Sequence, residues 1–132
     1  MIKTILDARA LSDLALYGLQ DIKGQDLLRM DLRQIDGAFT DFFILCTGTS
    51  DKHVQALADS VLDCLAQAGE RAVSVEGMQS AEWVLLDFGN VVVHIFQEEK
   101  RRFYRLEKLW GDALSERIEQ PVQPEFQPRR RV

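Results

Sequence analysis

The residues in this chain with chemical potential are few and widely spaced. Cys46, His53, Cys64 and His94 are the metal-ligating and nucleophilic types. Their spacing follows no known ligand pattern, and no Cys-x-x-Cys or His-x-x-x-His is present, so no metal site is expected. Cys46 with His94 as nucleophile and base is a second arrangement to weigh, but a single Cys at a strand end and a His on a strand are more often structural. Lys100-Arg101-Arg102 with Arg105 is a basic cluster, preceded by Glu98 and Glu99, and reads as a solvated helix face. Arg129-Arg130-Arg131 offers only a weak, non-specific contact to RNA.

Gly48-Thr49-Ser50 stands between an apolar run and a helical pattern, where backbone N–H groups and hydroxyls face a helix N-terminus and an anion could bind. It is no Walker loop, since the glycine spacing and the Lys-Ser/Thr pair are missing. The loop resembles the Gly-Ser loop of nucleotidyltransferases, which place two carboxylates one residue apart after it to hold metal. Here Asp51 is followed by Lys52 and His53, so two-metal phosphoryl chemistry lacks its ligands. Helix capping by Thr49 and Ser50 is the expected role.

These residues need elements to position them. Residues 2–19 carry Ile2, Ile5, Leu6, Leu11, Leu14, Ala15 and Leu19 at loose helical spacing, with a break expected near Ala10 to Ser12 and a restart capped by Ser12 or Asp13. Asp21 to Asp26 reads as a turn. Leu27 to Ile35 alternates as a half-buried strand, with Leu28, Met30 and Leu32 inward and Arg29, Asp31 and Arg33 outward. Phe42 to Cys46 suits an inner strand buried on both faces. Val54, Leu57, Ala58, Val61, Leu62 and Leu65 then mark a helix that Gly69 stops. Ala72 to Val75 is a short strand, so residues 42–75 predict a βαβ unit with parallel strands and a right-handed crossover. Glu98 and Glu99 open a last helix with the stripe Phe103, Leu106, Trp110. From residue 118 a polar stretch punctuated by Pro121, Pro124 and Pro128 predicts a disordered tail, leaving residues 1–117 as one domain.

The strongest local pattern is a hairpin: Trp83 to Phe88 and Val91 to Phe96, joined by Gly89 and Asn90. A two-residue turn sets Trp83 opposite Phe96, Val84 opposite Ile95, Leu85 opposite His94, Leu86 opposite Val93 and Asp87 opposite Val92. Val84, Leu86, Phe88, Val91, Val93 and Ile95 then form one wholly apolar face, which must be core. Trp83, Leu85, Asp87, Val92, His94 and Phe96 form the other. Two aromatics, a carboxylate and an imidazole together suit a protein-binding patch. The alternative is a face covered by a helix, with Asp87 in water at the hairpin end.

Composition bounds the partners. The 132 residues carry 16 Lys and Arg against 21 Asp and Glu, a net charge of -5, which argues against a protein held on nucleic acid by a general basic field. The last fifteen residues contribute +1, so the remainder carries -6. Two cysteines make no disulfide framework and read as buried thiols. No apolar run approaches the ~20 residues of a membrane span, and no signal or transit peptide is legible, so a cytoplasmic location and no membrane partner are expected.

Three ordered segments carry a family resemblance. They are Asp41-Phe42-Phe43-Ile44-Leu45-Cys46-Thr47-Gly48-Thr49-Ser50 with His53-Val54, then Val75-Glu76-Gly77 followed by residues 81–96, and Arg102-Phe103-Tyr104-Arg105-Leu106-Glu107-Lys108-Leu109-Trp110. Together they resemble the ribosomal silencing factor family, also called the Iojap family, over residues 10–113.

The resemblance implies a single α/β domain: a mixed sheet with a βαβ unit and a hairpin, nucleotidyltransferase-like topology, flanking helices and no enzymatic site or cofactor. It implies binding to the large ribosomal subunit through the ribosomal protein numbered fourteen, a block on subunit joining, and repression of translation under nutrient limitation. Its docking residues fall here on Trp83, Asp87, Phe88 and His94, which extends the partner-binding set to Trp83, Leu85, Asp87, Phe88, His94 and Phe96. Gln97 stands where many members have His. A role in assembling the large subunit uses the same face, and a nucleotide-dependent transferase on the Gly48 loop is the rival from another class. The apolar patch also leaves a homodimer of the free protein open.

Overall fold

The computed structural model describes residues 6–129. The elements run α1 (Ala8–Asp21), β1 (Gln25–Asp31), β2 (Phe42–Gly48), α2 (Asp51–Gln67), β3 (Ser74–Glu76), β4 (Trp83–Asp87), β5 (Val91–Gln97), α3 (Glu98–Tyr104), α4 (Leu106–Leu109) and β6 (Leu114–Arg117). The strands form one sheet in the order β3-β4-β5-β2-β1-β6. The fold class expected from the sequence, a single α/β domain with a mixed sheet and flanking helices, is the one observed.

β2 lies at the centre, parallel to β5 and antiparallel to β1, and all seven of its residues are buried. α1 and α2 cover one face of the sheet, where Leu11, Leu14, Leu57, Val61, Ile44, Val84 and Ile95 share the main core. The other face carries a smaller cluster: Met30, Leu32, Phe43, Leu45, Val92 and Phe96.

Several expectations are corrected. α1 has no break near Ala10 to Ser12. Asp7 caps it, accepting from the Ala10 N–H at 2.8 Å, and Ser12 stays helical by donating to the Arg9 carbonyl. Ile2 and Ile5 lie outside the described residues. In the predicted βαβ unit, β3 runs in the direction of β2 but is not its neighbour, because the β4–β5 hairpin lies between them. The Val-rich hairpin takes the buried interior, and the short, polar β3 takes the edge. Arg29, read as outward-facing, is buried. It donates to Ser12 and Asp13 of α1 and to Glu116 of β6. Burial alone would lower its pKa, but the bonds to Asp13 and Glu116 outweigh that and raise it. This pairing adds to the antiparallel ladder with β1 in holding β6, whose four residues are all exposed and carry no periodic signal.

The last helix is two. Arg105 takes a left-handed conformation (φ 47°) and closes α3, its N–H donating to the Arg101 carbonyl. The turn brings Leu106 and Trp110 against the smaller cluster. The Phe103 side chain lies outside the described residues.

Residues 118–129 do not behave as a disordered tail. Ile118, Val122 and Phe126 pack against the main core, and Pro124 is buried. Two glutamine amides clamp the backbone. Gln20 bonds the Gln120 carbonyl and the Val122 N–H at 2.8 Å each, and Gln67 bonds the carbonyl and N–H of Arg129. Pro121, Pro124 and Pro128 suit an extended path and have no N–H of their own to satisfy. Arg130 and Arg131 lie outside the described residues. Truncation after Arg117 is expected to lower stability by about 1–3 kcal/mol, the worth of three partly buried apolar side chains. Urea unfolding of the truncated and full chains checks this; identical midpoints would restore the tail reading.

Candidate functional site

The hairpin register is the one the Gly89-Asn90 turn dictates: Trp83 pairs with Phe96, Leu85 with His94 and Asp87 with Val92. Asp87 holds the turn, its carboxylate accepting from the Gly89 N–H at 2.8 Å. The chain enters β4 through a tight bend at Gly77 (φ 87°), where a Cβ would lie 2.1 Å from the Trp83 carbonyl oxygen, so only glycine fits. Gln97, the departure from the family pattern, secures this bend: its side-chain amide donates to the Ala81 carbonyl at 3.0 Å.

The six residues expected to bind a partner separate into three groups. Trp83, Leu85 and Asp87 are half-buried and reach the surface. His94 (4% exposed) and Phe96 (1% exposed) do not, and neither does Val92. They are the floor beneath Trp83 rather than a contact surface. Phe88 is 8% exposed and belongs to the main core on the opposite face, as alternation required. Its side chain lies on the opposite face from the patch, so the expected partner-binding set is not gathered on one face.

Trp83 organises this floor. Its indole N–H donates to His94 Nδ1 at 3.1 Å, its ring stacks on Phe96 at 4.9 Å, and Tyr104 lies 4.7 Å from it. His94 meets the edge of Phe43 at 4.8 Å, and Phe43 touches Phe39 and Trp110 at 5.9 and 5.8 Å. A continuous aromatic layer thus runs from Tyr104 to Phe39. Accepting at Nδ1 makes His94 a neutral imidazole with its proton on Nε2, and burial pushes its pKa down to about 4.

Sequence reasoning missed part of this surface. Phe39 is 67% exposed, Tyr104 46% and Leu109 72%, and Trp110 is half-buried. Phe39 lies in an irregular polar connection with no periodicity to expose it. Tyr104 and Leu109 are brought outward by the break at Arg105, which has no glycine to announce it.

The other candidates for chemistry resolve as structural. Ser50 caps α2 by accepting from the His53 N–H at 3.1 Å. The Thr49 N–H, a donor that an anion would need, is bonded to His53 Nδ1 at 2.9 Å, and His53 Nε2 donates to the Ile22 carbonyl. Cys46 and His94 project from opposite faces of the sheet and form no dyad. Burial raises the Cys46 thiol to about 12, and Cys46 and Cys64 are both buried. Among the described residues no group of three or more His, Cys, Asp or Glu is placed to hold a metal, and no helix is long and apolar enough to cross a membrane.

Known proteins are similar to this chain in sequence and in fold. The family model described as ribosomal silencing factor during starvation matches residues 6–131. The chain belongs to the ribosomal silencing factor family. The ribosomal silencing factor RsfS of Bacillus subtilis is 39% identical over 108 residues, covering 82% of this chain and 91% of that protein. A crystal structure of a Chromobacterium violaceum protein is 37% identical with a TM-score of 0.77, covering 90% of this chain and 98% of that one. A mouse relative, named mitochondrial assembly of ribosomal large subunit protein 1, is 35% identical over 75 residues, 54% of this chain and 33% of its own length. In this silencing-factor chain the family match extends through the clamped segment after residue 117, not only the body of the domain.

The buried imidazole gives a test of the aromatic floor. The folded state disfavours the proton on His94, so the unfolded chain binds more protons between pH 6.5 and about 4. Stability is therefore full above pH 6.5 and falls as pH drops through that window. Urea unfolding at pH 7 and pH 5 is expected to differ by about 2 kcal/mol from this residue. His94→Gln, which keeps an acceptor for Trp83, removes that difference; a wild type as stable at pH 5 as at pH 7 would show His94 to be solvated.

Proposed function

We propose that this silencing-factor chain binds the large ribosomal subunit through the ribosomal protein numbered fourteen and, by occupying that surface, blocks joining of the small subunit and represses translation when nutrients are short. The observation that carries the reading is the uncovered part of the sheet. Trp83, Leu85 and Asp87, flanked by exposed Phe39, Tyr104 and Leu109, make an apolar patch with a carboxylate at its rim. Soluble domains leave such a surface open where another protein covers it. Aromatic anchors on a rigid floor are what binding hot spots use.

Charge supports a protein contact over an RNA contact. Residues 1–117 carry -6, which is repelled by bare RNA and attracted to a basic protein surface. Silencing needs no turnover, only a footprint of about 1,600 Å² in total on a surface the other subunit requires. The name of the mouse relative favours a second reading, a factor that rides the large subunit during assembly, and the same face serves it.

Tagged protein in a sucrose gradient at physiological salt is expected with free large subunits and not with small ones; protein confined to ribosome-free fractions would reject both readings. Added to separated subunits, it is expected to reduce joined ribosomes, and joining at the normal level leaves only the assembly reading. Trp83→Ala is expected to weaken subunit binding by about 2 kcal/mol or more, at least ~30-fold. It also removes the lid of the aromatic floor, so thermal unfolding is measured beside it. Val84→Ala, on the wholly buried face, should lower stability and leave binding per folded molecule unchanged.

A further inference from the structure

One basic feature stands against the acidic body. A cavity of about 310 Å³ gathers five cationic side chains, Arg101, Arg102, Arg105, Lys108 and Arg117, from α3, α4 and the end of β6, against three carboxylates. Read in sequence, Lys100 to Arg105 was a solvated helix face; the fold instead bends part of it around a hollow.

The bend is built. Arg105 takes φ 47° and Asp26, at the start of β1, φ 49°, so two of the four non-glycine residues with positive φ among those described line this one cavity. Such conformations are costly for residues with a side chain and are kept where the surroundings over-determine them. Arg101 supplies that determination. Its guanidinium donates to the Asp26 carbonyl at 2.6 Å and to Thr47 Oγ1 at 2.8 Å, and it lies 3.5 Å from the Glu107 carboxylate. One side chain thus ties β1, the end of β2 and α4 together.

The remaining charges are unequal. Arg102 meets Glu98 at 3.5 Å with both side chains largely exposed, which neutralises little. Lys108 and Arg117 are exposed and have no ion-pair partner among the described residues. The cavity also lies where the parallel strands β2 and β5 end, beside Thr47 and Glu98, the position at which open α/β sheets receive ligands. α3 and α4 carry it next to Tyr104 and Leu109 of the apolar patch.

We propose that this cavity takes backbone phosphates of RNA, with Lys108 and Arg117 as the contacting cations and Arg101 as the positioning residue that shapes the hollow. Exposed cations without an aromatic or amide to read a base give a phosphate contact and no sequence preference. The body's charge of -6 keeps the contact weak in the free chain, and it tightens where the apolar patch has docked the domain beside RNA. The inference rests on the ribosomal reading for its setting, and its test has an arm that does not.

That arm is amide NMR of the free full chain titrated with oligouridylate and, separately, with inorganic phosphate. Oligouridylate is expected to shift resonances of residues 101–109 and 117, with at least ~10-fold weaker binding in the Lys108→Ala/Arg117→Ala double variant. Lys52→Ala/Arg71→Ala, which removes the same charge elsewhere, should bind as wild type. Shifts with inorganic phosphate alone, or none at the cavity, overturn the proposal. In the second arm, binding to purified large subunits is followed against salt, and the cavity variant is expected to have a slope of log affinity on log salt shallower by about 2. An unchanged slope overturns the proposal while leaving the ribosomal reading intact. Wild-type protein that binds oligouridylate at the cavity yet never sediments with large subunits rejects the ribosomal reading and keeps the phosphate site.

Discussion

A six-stranded sheet needs apolar cover on both faces, and among the described residues only two helices are of useful length to supply it. Both α1 and α2 lie on one side. The other face is closed by what the remaining sequence offers: the connection at residues 32–40, the short helices α3 and α4, and the aromatic side chains of the sheet itself. That shortage of cover explains the molecule's unusual features. It puts His94 inside an aromatic layer as a neutral base, makes Trp83 both lid and surface, and leaves Phe39, Tyr104 and Leu109 in water. A third long helix would give a better sealed domain with no face left for a partner.

What could be read from the sequence follows from how local each determinant is. The Gly89-Asn90 turn fixes the hairpin register within its own residues, and one apolar run is enough to mark β2 as central, so both were legible. Alternation even placed Phe88 correctly against the family carry-over. The burial of His94 and Phe96 was not legible, because it depends on where α3 ends. That end is set by Arg105 in a left-handed conformation, which local propensity does not announce. β6 and the segment from residue 118 were missed for a related reason. Their sequences are polar, and their attachments are to distant side chains: Arg29 to Glu116, Gln20 to Val122, Gln67 to Arg129. A composition that reads as disorder is held here by glutamine amides doing the work of a backbone ladder.

The resemblance to nucleotidyltransferases at the Gly48 loop is accounted for in the same terms. The loop keeps its place at the end of a central strand, but its donors are committed internally. His53 occupies the Thr49 N–H on one side and the Ile22 carbonyl on the other, tying the start of α2 to the end of α1. The Thr49 N–H, which a bound phosphate would need, is taken by the His53 imidazole. Gly48 itself admits no side chain, since a Cβ would fall 2.6 Å from Val54 Cγ2.

Charge then decides how such a face is used. An acidic body with one apolar patch is drawn to basic protein and pushed from bare RNA, so long-range forces favour approach where protein is exposed on a particle made of both. At contact range the sign changes locally. Within a Debye length of about 8 Å the cations of the α3–α4 cavity are sensed more strongly than the distant carboxylates of α1 and α2. Because the same two short helices carry both Tyr104 and Leu109 of the exposed surface and Arg102 and Lys108 of the cavity, apolar docking and the basic contact are held in one relative orientation. The break at Arg105 sets that orientation, and one constrained backbone residue therefore directs how the exposed face presents its charge.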